Sequence, residues 1–174
     1  MPFDIPSSWR WTTISNITNS YIGLTYKPTD ISQNKNDTIV LRSSNIKNGK
    51  LDLTDIVRVA CSISPKLKVD KNDIIICARN GSKKLVGKSA LIEEQYENIT
   101  LGAFMAICKT RFYMYIYTFL QSPLFFSQLA LTSGTTTINQ LTQKAFNSFV
   151  VPLPPIKEQA IITSKINDLL KLVD

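Results

Sequence analysis

In the first two thirds of the chain, short apolar runs alternate with turn-forming residues, a pattern of strands and turns. Trp9 and Trp11 alternate around Arg10, and Ile14 and Ile17 follow at helical spacing. The mix of aromatics with Gly23 and Pro28 makes Tyr21–Asp30 an ordered loop. Thr38–Leu41 is a β-branched run with an aliphatic end, hence a buried strand. Asn48-Gly49 marks a turn, after which Leu51–Ala60 resumes extended chain. Asp73–Cys77 predicts an interior strand and Arg79–Lys84 a polar turn around Gly81. Leu85–Ile92 and Thr100–Cys108 predict further strands, joined by the acidic turn Glu93–Asn98.

The period changes in the last third. Phe112–Leu120 is helix-like and rich in aromatics, and Ser122-Pro123 supplies a cap and first-turn proline for a helix over Leu124–Leu131. Residues 133–137 form a loop, and Thr142 caps a short helix through Phe146. Phe149–Pro155 is extended, because each proline pushes its predecessor away from helical angles. From Pro155 a helix runs on, with Ile162, Ile166, Leu169 and Val173 at spacings of 4, 3 and 4, the seam of a coiled coil. So short a seam needs a second helix.

Composition narrows the chemistry. The 174 residues are 44% hydrophobic and 19% charged, enough apolar material for a sizeable core. The net charge is +7, which favours a polyanionic partner such as nucleic acid. There is no histidine, which removes Ser-His-Asp and Cys-His catalysis and histidine-ligated zinc together. Cys61, Cys77 and Cys108 contain no Cys-x-x-Cys pair and read as reduced, partly buried thiols of a cytoplasmic protein. The opening MPFDIPSSWRW lacks the pattern of a signal peptide, and no apolar stretch approaches the ~18 residues of a membrane span.

Three polar segments are candidates for binding. Between Lys66 and Lys88 lie seven cationic residues and two anionic ones. In its turn Arg79, Lys83 and Lys84 suit phosphates, and Arg79 and Asn80 have the geometry to read guanine and adenine edges. The competing reading is a solvated, merely charged hairpin. Arg42, Ser44 and Asn45, with Lys47, form a second polar surface, or an ordinary turn in which Asn45 bonds its own backbone. The third, Gly134–Gln140, offers uncharged Thr, Asn and Gln groups, or is a β-turn with capping threonines. The aromatics between Phe112 and Phe126 lie among aliphatics and read as core.

Catalytic alternatives fit poorly. Gly87-Lys88-Ser89 suggests a phosphate-binding P-loop, but five residues separate Gly81 from Gly87 where the motif wants four. A small P-loop-like enzyme using Lys88 and Ser89 is nevertheless retained as an alternative, as is a non-DNA interaction module assembling through the C-terminal helix. Asp70 and Asp73 lack the downstream acid-x-Lys of a metal nuclease, and no methyltransferase tetrapeptide occurs. The chain shows no active site of its own.

Six segments in order carry a resemblance: Leu41-Arg-Ser-Ser-Asn-Ile-Lys-Asn-Gly49, Asp73-Ile-Ile-Ile-Cys-Ala-Arg-Asn-Gly-Ser82, Leu85-Val-Gly-Lys88, Leu101-Gly-Ala-Phe-Met105, Thr136-Thr-Ile-Asn-Gln-Leu-Thr142 and Pro152-Leu-Pro-Pro-Ile-Lys-Glu-Gln159. Together they resemble the specificity (S) subunits of type I restriction–modification enzymes. The resemblance implies an α+β fold: a mixed, twisted sheet or half-barrel target recognition domain over residues 1–154, then the start of a conserved coiled-coil-type spacer helix over 155–174. It implies that the domain reads one half of a split double-stranded DNA target and does no chemistry. Modification subunits bind S-adenosylmethionine, and a restriction subunit uses ATP and Mg; this chain binds no cofactor or metal. The partners implied are DNA, the modification subunits and, through the complex, the restriction subunit. A second recognition domain, or a second copy of the chain, pairs through Ile162, Ile166, Leu169 and Val173. On this basis Arg42, Ser44, Asn45, Arg79, Asn80, Ser82, Lys83, Lys84, Thr135, Thr136, Asn139 and Gln140 face DNA, with Tyr26, Lys27 and Lys47 as further base-reading candidates. Segments shared among family members with different targets can equally brace the framework.

Overall fold

The run Ile74–Cys77 contains no polar alternate because both faces of its strand are buried. In the computed structural model, which describes residues 2–132 and 140–172, Ile74 and Ile76 point into one apolar cluster. Ile75 and Cys77 point into another. Met105–Lys109 repeats the division, with Ala106 and Cys108 on the first side and Met105 and Ile107 on the second. These two strands lie at the centre of the fold.

The elements run β1 (Arg10–Thr13), α1 (Ile14–Ile17), β2 (Asn19–Ile22), β3 (Ile31–Ser32), β4 (Thr38–Leu41), β5 (Ile46–Lys47), β6 (Lys50–Leu51), β7 (Val57–Val59), β8 (Ile74–Cys77), β9 (Ser89–Leu91), β10 (Ile99–Leu101) and β11 (Met105–Lys109). Then follow α2 (Tyr113–Leu120), α3 (Pro123–Thr132), α4 (Gln143–Ser148), β12 (Val150–Leu153) and α5 (Ile156–Leu170). Among the described residues one open sheet has the order β2-β11-β8-β9 and a second β10-β4-β7-β3; within them only β4 and β10 pair in parallel. The second cluster fills the space between the sheets, while α2, α3 and α4 cover the first. This is an α+β architecture of open, mixed sheets with few helices.

Several expected elements form. Asn48 and Gly49 both adopt positive φ (51° and 73°), the requirement of a two-residue hairpin turn, and join β5 to β6. Ser122 Oγ accepts from the Phe125 amide at the start of α3, and Thr142 Oγ1 accepts from the Ala145 amide to cap α4. Others change. Thr100–Cys108 is two strands, because residues 102–104 turn the chain from one sheet to the other. Of Leu85–Ile92 only Ser89–Leu91 is strand, and the loop expected from Tyr21 begins after Ile22.

β1 and β12 pair with each other, drawing the first and last strands together beside α5. The start of α5 is then fixed from three sides. Trp9 Nε1 donates to Glu158 at 2.7 Å, Gln159 Nε2 donates to the Pro154 carbonyl at 2.8 Å, and the buried Tyr115 hydroxyl donates to the Pro152 carbonyl. Burial without a compensating charge pushes the Tyr115 phenol up to about 12. Among the described residues no helix is long and apolar enough to cross a membrane.

Candidate nucleic-acid interface

Strands β2, β4, β8 and β10 all release their chains at the same end of the molecule. The segments that follow, 23–27, 42–45, 78–84 and 102–104, therefore meet. Gly23 makes the meeting possible: a Cβ there would lie 2.3 Å from the Gly102 carbonyl oxygen. Leu24 forms a parallel bridge with Gly102, its amide reaching the Leu101 carbonyl at 2.7 Å. Between the 23–27, 42–45 and 102–104 segments opens a cleft of about 530 Å³, lined by Leu24, Tyr26, Arg42, Ser43, Ser44 and Phe104 among others.

The 78–84 turn is tied into this cleft. Asn80 Nδ2 donates to Ser43 Oγ at 3.0 Å, and Asn80 Oδ1 accepts from the Ser82 amide at 2.9 Å. Asn80 thus joins two of the polar segments. The amides of Ala78 and Arg79 both donate to the Phe104 carbonyl at 2.9 Å, and Arg79 bridges Gln140 in antiparallel fashion. The Arg79 guanidinium lies 5.1 Å over the Phe104 ring. Phe104 stays 57% exposed, which forgoes roughly 1–2 kcal/mol of burial. Lys83 and Lys84 lie exposed in a single 3-10 turn, and Lys27 is exposed at the far side of the 23–27 segment. None of Lys27, Arg79, Lys83 and Lys84 makes an ion pair among the described residues.

Other expected binding residues turn inward or pair elsewhere. Asn45 is 1% exposed and does not face outward. Its Oδ1 accepts from the Arg42 amide at 2.8 Å, and its Nδ2 donates to the carbonyls of Asp52 and Asp55 at 2.9 and 2.7 Å. An amide that meets three backbone groups is a brace, so the DNA-facing role expected of Asn45 is replaced by a structural one. Arg42 lines the cleft, but its guanidinium pairs with Asp55 at 2.8 Å. Among the described residues its Nε is the buried side-chain polar atom without a partner. Lys47 pairs with Asp52 at 2.7 Å on the β5–β6 hairpin. The hydrogen bond from Lys47, with those from Thr54, holds the Asp52 carboxyl well below the usual carboxylate range. Thr135, Thr136 and Asn139 lie outside the described residues.

The cationic run from Lys66 to Lys88 is divided by β8. Arg79–Lys84 follows its cleft end, whereas Lys66–Lys71 precedes it at the other end. There Lys109 bridges Asp73 and Asp70 at 2.5 and 3.1 Å, and Lys66 lies over the Tyr21 ring.

The P-loop alternative fails on geometry. Gly87 and Lys88 exchange backbone hydrogen bonds with Cys77, and Ser89 opens β9 at 2% exposure with its hydroxyl accepting from Gln121 at 2.8 Å. Among the described residues β9 is followed by β10 and β11, not by a helix that could offer its N-terminus to a phosphate.

On α5 the expected seam splits. Ile162 packs against the domain's own core, Ile166 is half-buried, and Leu169 is 62% exposed; Val173 lies outside the described residues. The residues α5 buries most deeply are Gln159 and Thr163. Phe104, Trp9, Tyr115 and Gln159 were not singled out by residue chemistry. The signals at Phe104 are its place in the Leu101–Met105 segment and the Gly-Ala pair before it, which lets the chain turn between sheets.

The chain is similar to known proteins in sequence and in fold. Residues 6–174 match the family described as the type I restriction modification DNA specificity domain. The chain is similar to the type I restriction enzyme EcoKI specificity subunit of Escherichia coli K12, at 34% identity over 98% of its length and 38% of the relative's. It is also similar to the StySPI specificity subunit of Salmonella potsdam, at 31% identity over the same shares. Among solved structures, its fold matches one from a study of assembly and conformational transition of the type I R-M system, with TM-score 0.77 and 18% identity over 99% of this chain and 40% of that one. The HsdS subunit from Thermoanaerobacter tengcongensis gives TM-score 0.73 at 16% identity, with the same shares covered. The chain thus spans about two fifths of the length of these relatives.

Proposed function

Because the chain belongs to the type I restriction–modification DNA specificity family, we propose that it is the part of a specificity subunit that reads one half of a bipartite double-stranded DNA target. The observation that carries this reading is the convergence of four strand-end segments at one end of the molecule: three of them line a cleft, the 78–84 turn is bonded to it through Ser43 and Phe104, and Lys27, Arg79, Lys83 and Lys84 make no ion pair among the described residues. Cations on short turns neutralise phosphates and fix register, while Arg79, Asn80, Ser44 and Tyr26 stand where base edges pass.

The chain itself does no chemistry in this reading. Among the described residues no group of three His, Cys, Asp or Glu residues stands close enough to hold a metal. S-adenosylmethionine, ATP and Mg belong to the modification and restriction subunits, which act in the cytoplasm on the DNA that this chain selects. Its exposed α5 positions, Ile161 and Leu169 among them, are offered to a second helix, from another recognition domain or from a second copy. Two-fold pairing of copies implies a target with inverted half-sites.

Replacing Lys83 and Lys84 with alanine tests the interface. The specificity subunit assembled with its modification subunits is titrated with duplex DNA at several salt concentrations. The slope of log K against log salt falls by about 2, and affinity drops alike for all sequences. An unchanged slope removes the phosphate contacts from this turn.

A further inference from the structure

We propose that Phe104 is a positioning residue for base readout: it holds the Arg79 guanidinium over its ring so that the guanidinium edge meets a guanine in the major groove. The half-site then contains a G·C pair whose selection depends on Phe104. This rests on the reading of the chain as a DNA-recognition segment.

The backbone of Arg79 is fixed before any ligand arrives. It lies two residues beyond the doubly buried β8, its amide is bonded to the Phe104 carbonyl, and its carbonyl accepts from Cys77 Sγ at 3.7 Å. The side chain is held as well, with the guanidinium carbon 5.1 Å from the centre of the Phe104 ring. An aromatic face engages the guanidinium while leaving N–H donors for a second partner, which a carboxylate partner would occupy. Arg42, which lines the cleft with Phe104, shows that contrast, since its terminal nitrogen is taken by Asp55 at 2.8 Å. Immobilising a long side chain in advance removes part of the entropy cost of binding.

The exposure of Phe104 is the second observation. A 57% exposed phenylalanine on the rim of a cleft contributes little to either apolar cluster, and it belongs to neither. Its contact with Arg79 gives it a role. Guanine O6 and N7 present two acceptors that match the guanidinium fork, whereas the amino group beside adenine N7 repels it. Lys83 and Lys84, exposed and three-fold rotatable, suit phosphate instead.

The test uses the complete specificity subunit with its modification subunits and reads every methylated site in a DNA library by sequencing. Wild type defines the half-site. Arg79→Lys keeps the charge and loses the fork; Phe104→Leu removes the ring; Phe104→Tyr keeps it. The expected result is a loss of about 10- to 100-fold in discrimination at one G·C pair for R79K and F104L alike, with other positions and the salt slope unchanged. F104Y stays within twofold of wild type. The proposal is overturned if F104L retains full discrimination, if R79K does, or if F104L weakens all sequences equally. A wild-type complex that ignores sequence altogether overturns the parent reading and this one with it.

Discussion

Asn45 shows how one side chain decides between two uses of the same residue type. An asparagine in a polar turn after a strand is equally a base reader and a backbone brace from its sequence context. Three hydrogen bonds and 1% exposure make it the brace that holds 42–45 against the 52–55 loop. Its neighbour Ser44 is exposed and remains on the cleft. Asn45→Ala strands one amide and two carbonyls, so denaturant unfolding should show a loss of about 2–3 kcal/mol, whereas Ser44→Ala should change stability by less than about 0.5 kcal/mol. Equal effects at the two positions would contradict the division of roles.

At the scale of elements, the Pro-Leu-Pro-Pro-Ile-Lys-Glu-Gln segment becomes intelligible. Its prolines keep β12 extended and stop it sharply, and its polar end fastens the helix that follows. Glu158 receives the Trp9 indole at the entrance of α5, and Gln159 folds back onto the Pro154 carbonyl. A helix of about 15 residues gains little stability alone, so these ties set its direction. Trp9→Phe keeps most of the ring and loses the 2.7 Å bond to a carboxylate. Amide exchange over the first turns of α5 should quicken, with global stability lower by about 1–2 kcal/mol, while exchange in β8 and β11 slows or quickens only with the global term. Unaltered exchange in α5 would show that the tie does not orient the helix.

On the scale of the whole molecule, charge is distributed by topology. The densest cationic run in the sequence is cut by β8 into two groups beyond opposite ends of the strand, which is itself about 13 Å long at a rise of ~3.3 Å per residue. One group meets the cleft; the other sits beside Asp70, Asp73 and Lys109. Lys66→Ala with Lys71→Ala removes as much positive charge as the pair at 83 and 84, yet the salt slope of DNA binding should stay within experimental error of wild type. A fall equal to that of the 83/84 pair would mean that net charge, not its placement, governs binding.

What the sequence determined by itself was local. Apolar and β-branched runs placed β4 and β8, the Asn-Gly pair set its hairpin, and the Ser122-Pro123 and Thr142 caps placed the starts of α3 and α4, because each depends on neighbours within a few residues. The ordered motifs also carried the family. Tertiary structure alone decided which polar residues share a face. Gly23 against Gly102, Arg79 over Phe104, and Asn80 on Ser43 are contacts between segments far apart in the chain, and their partners follow from strand order. The same holds for Ile162, whose place in a regular seam gave no sign that the domain's own core would take it. Periodicity states that a side chain must be buried; only packing states against what.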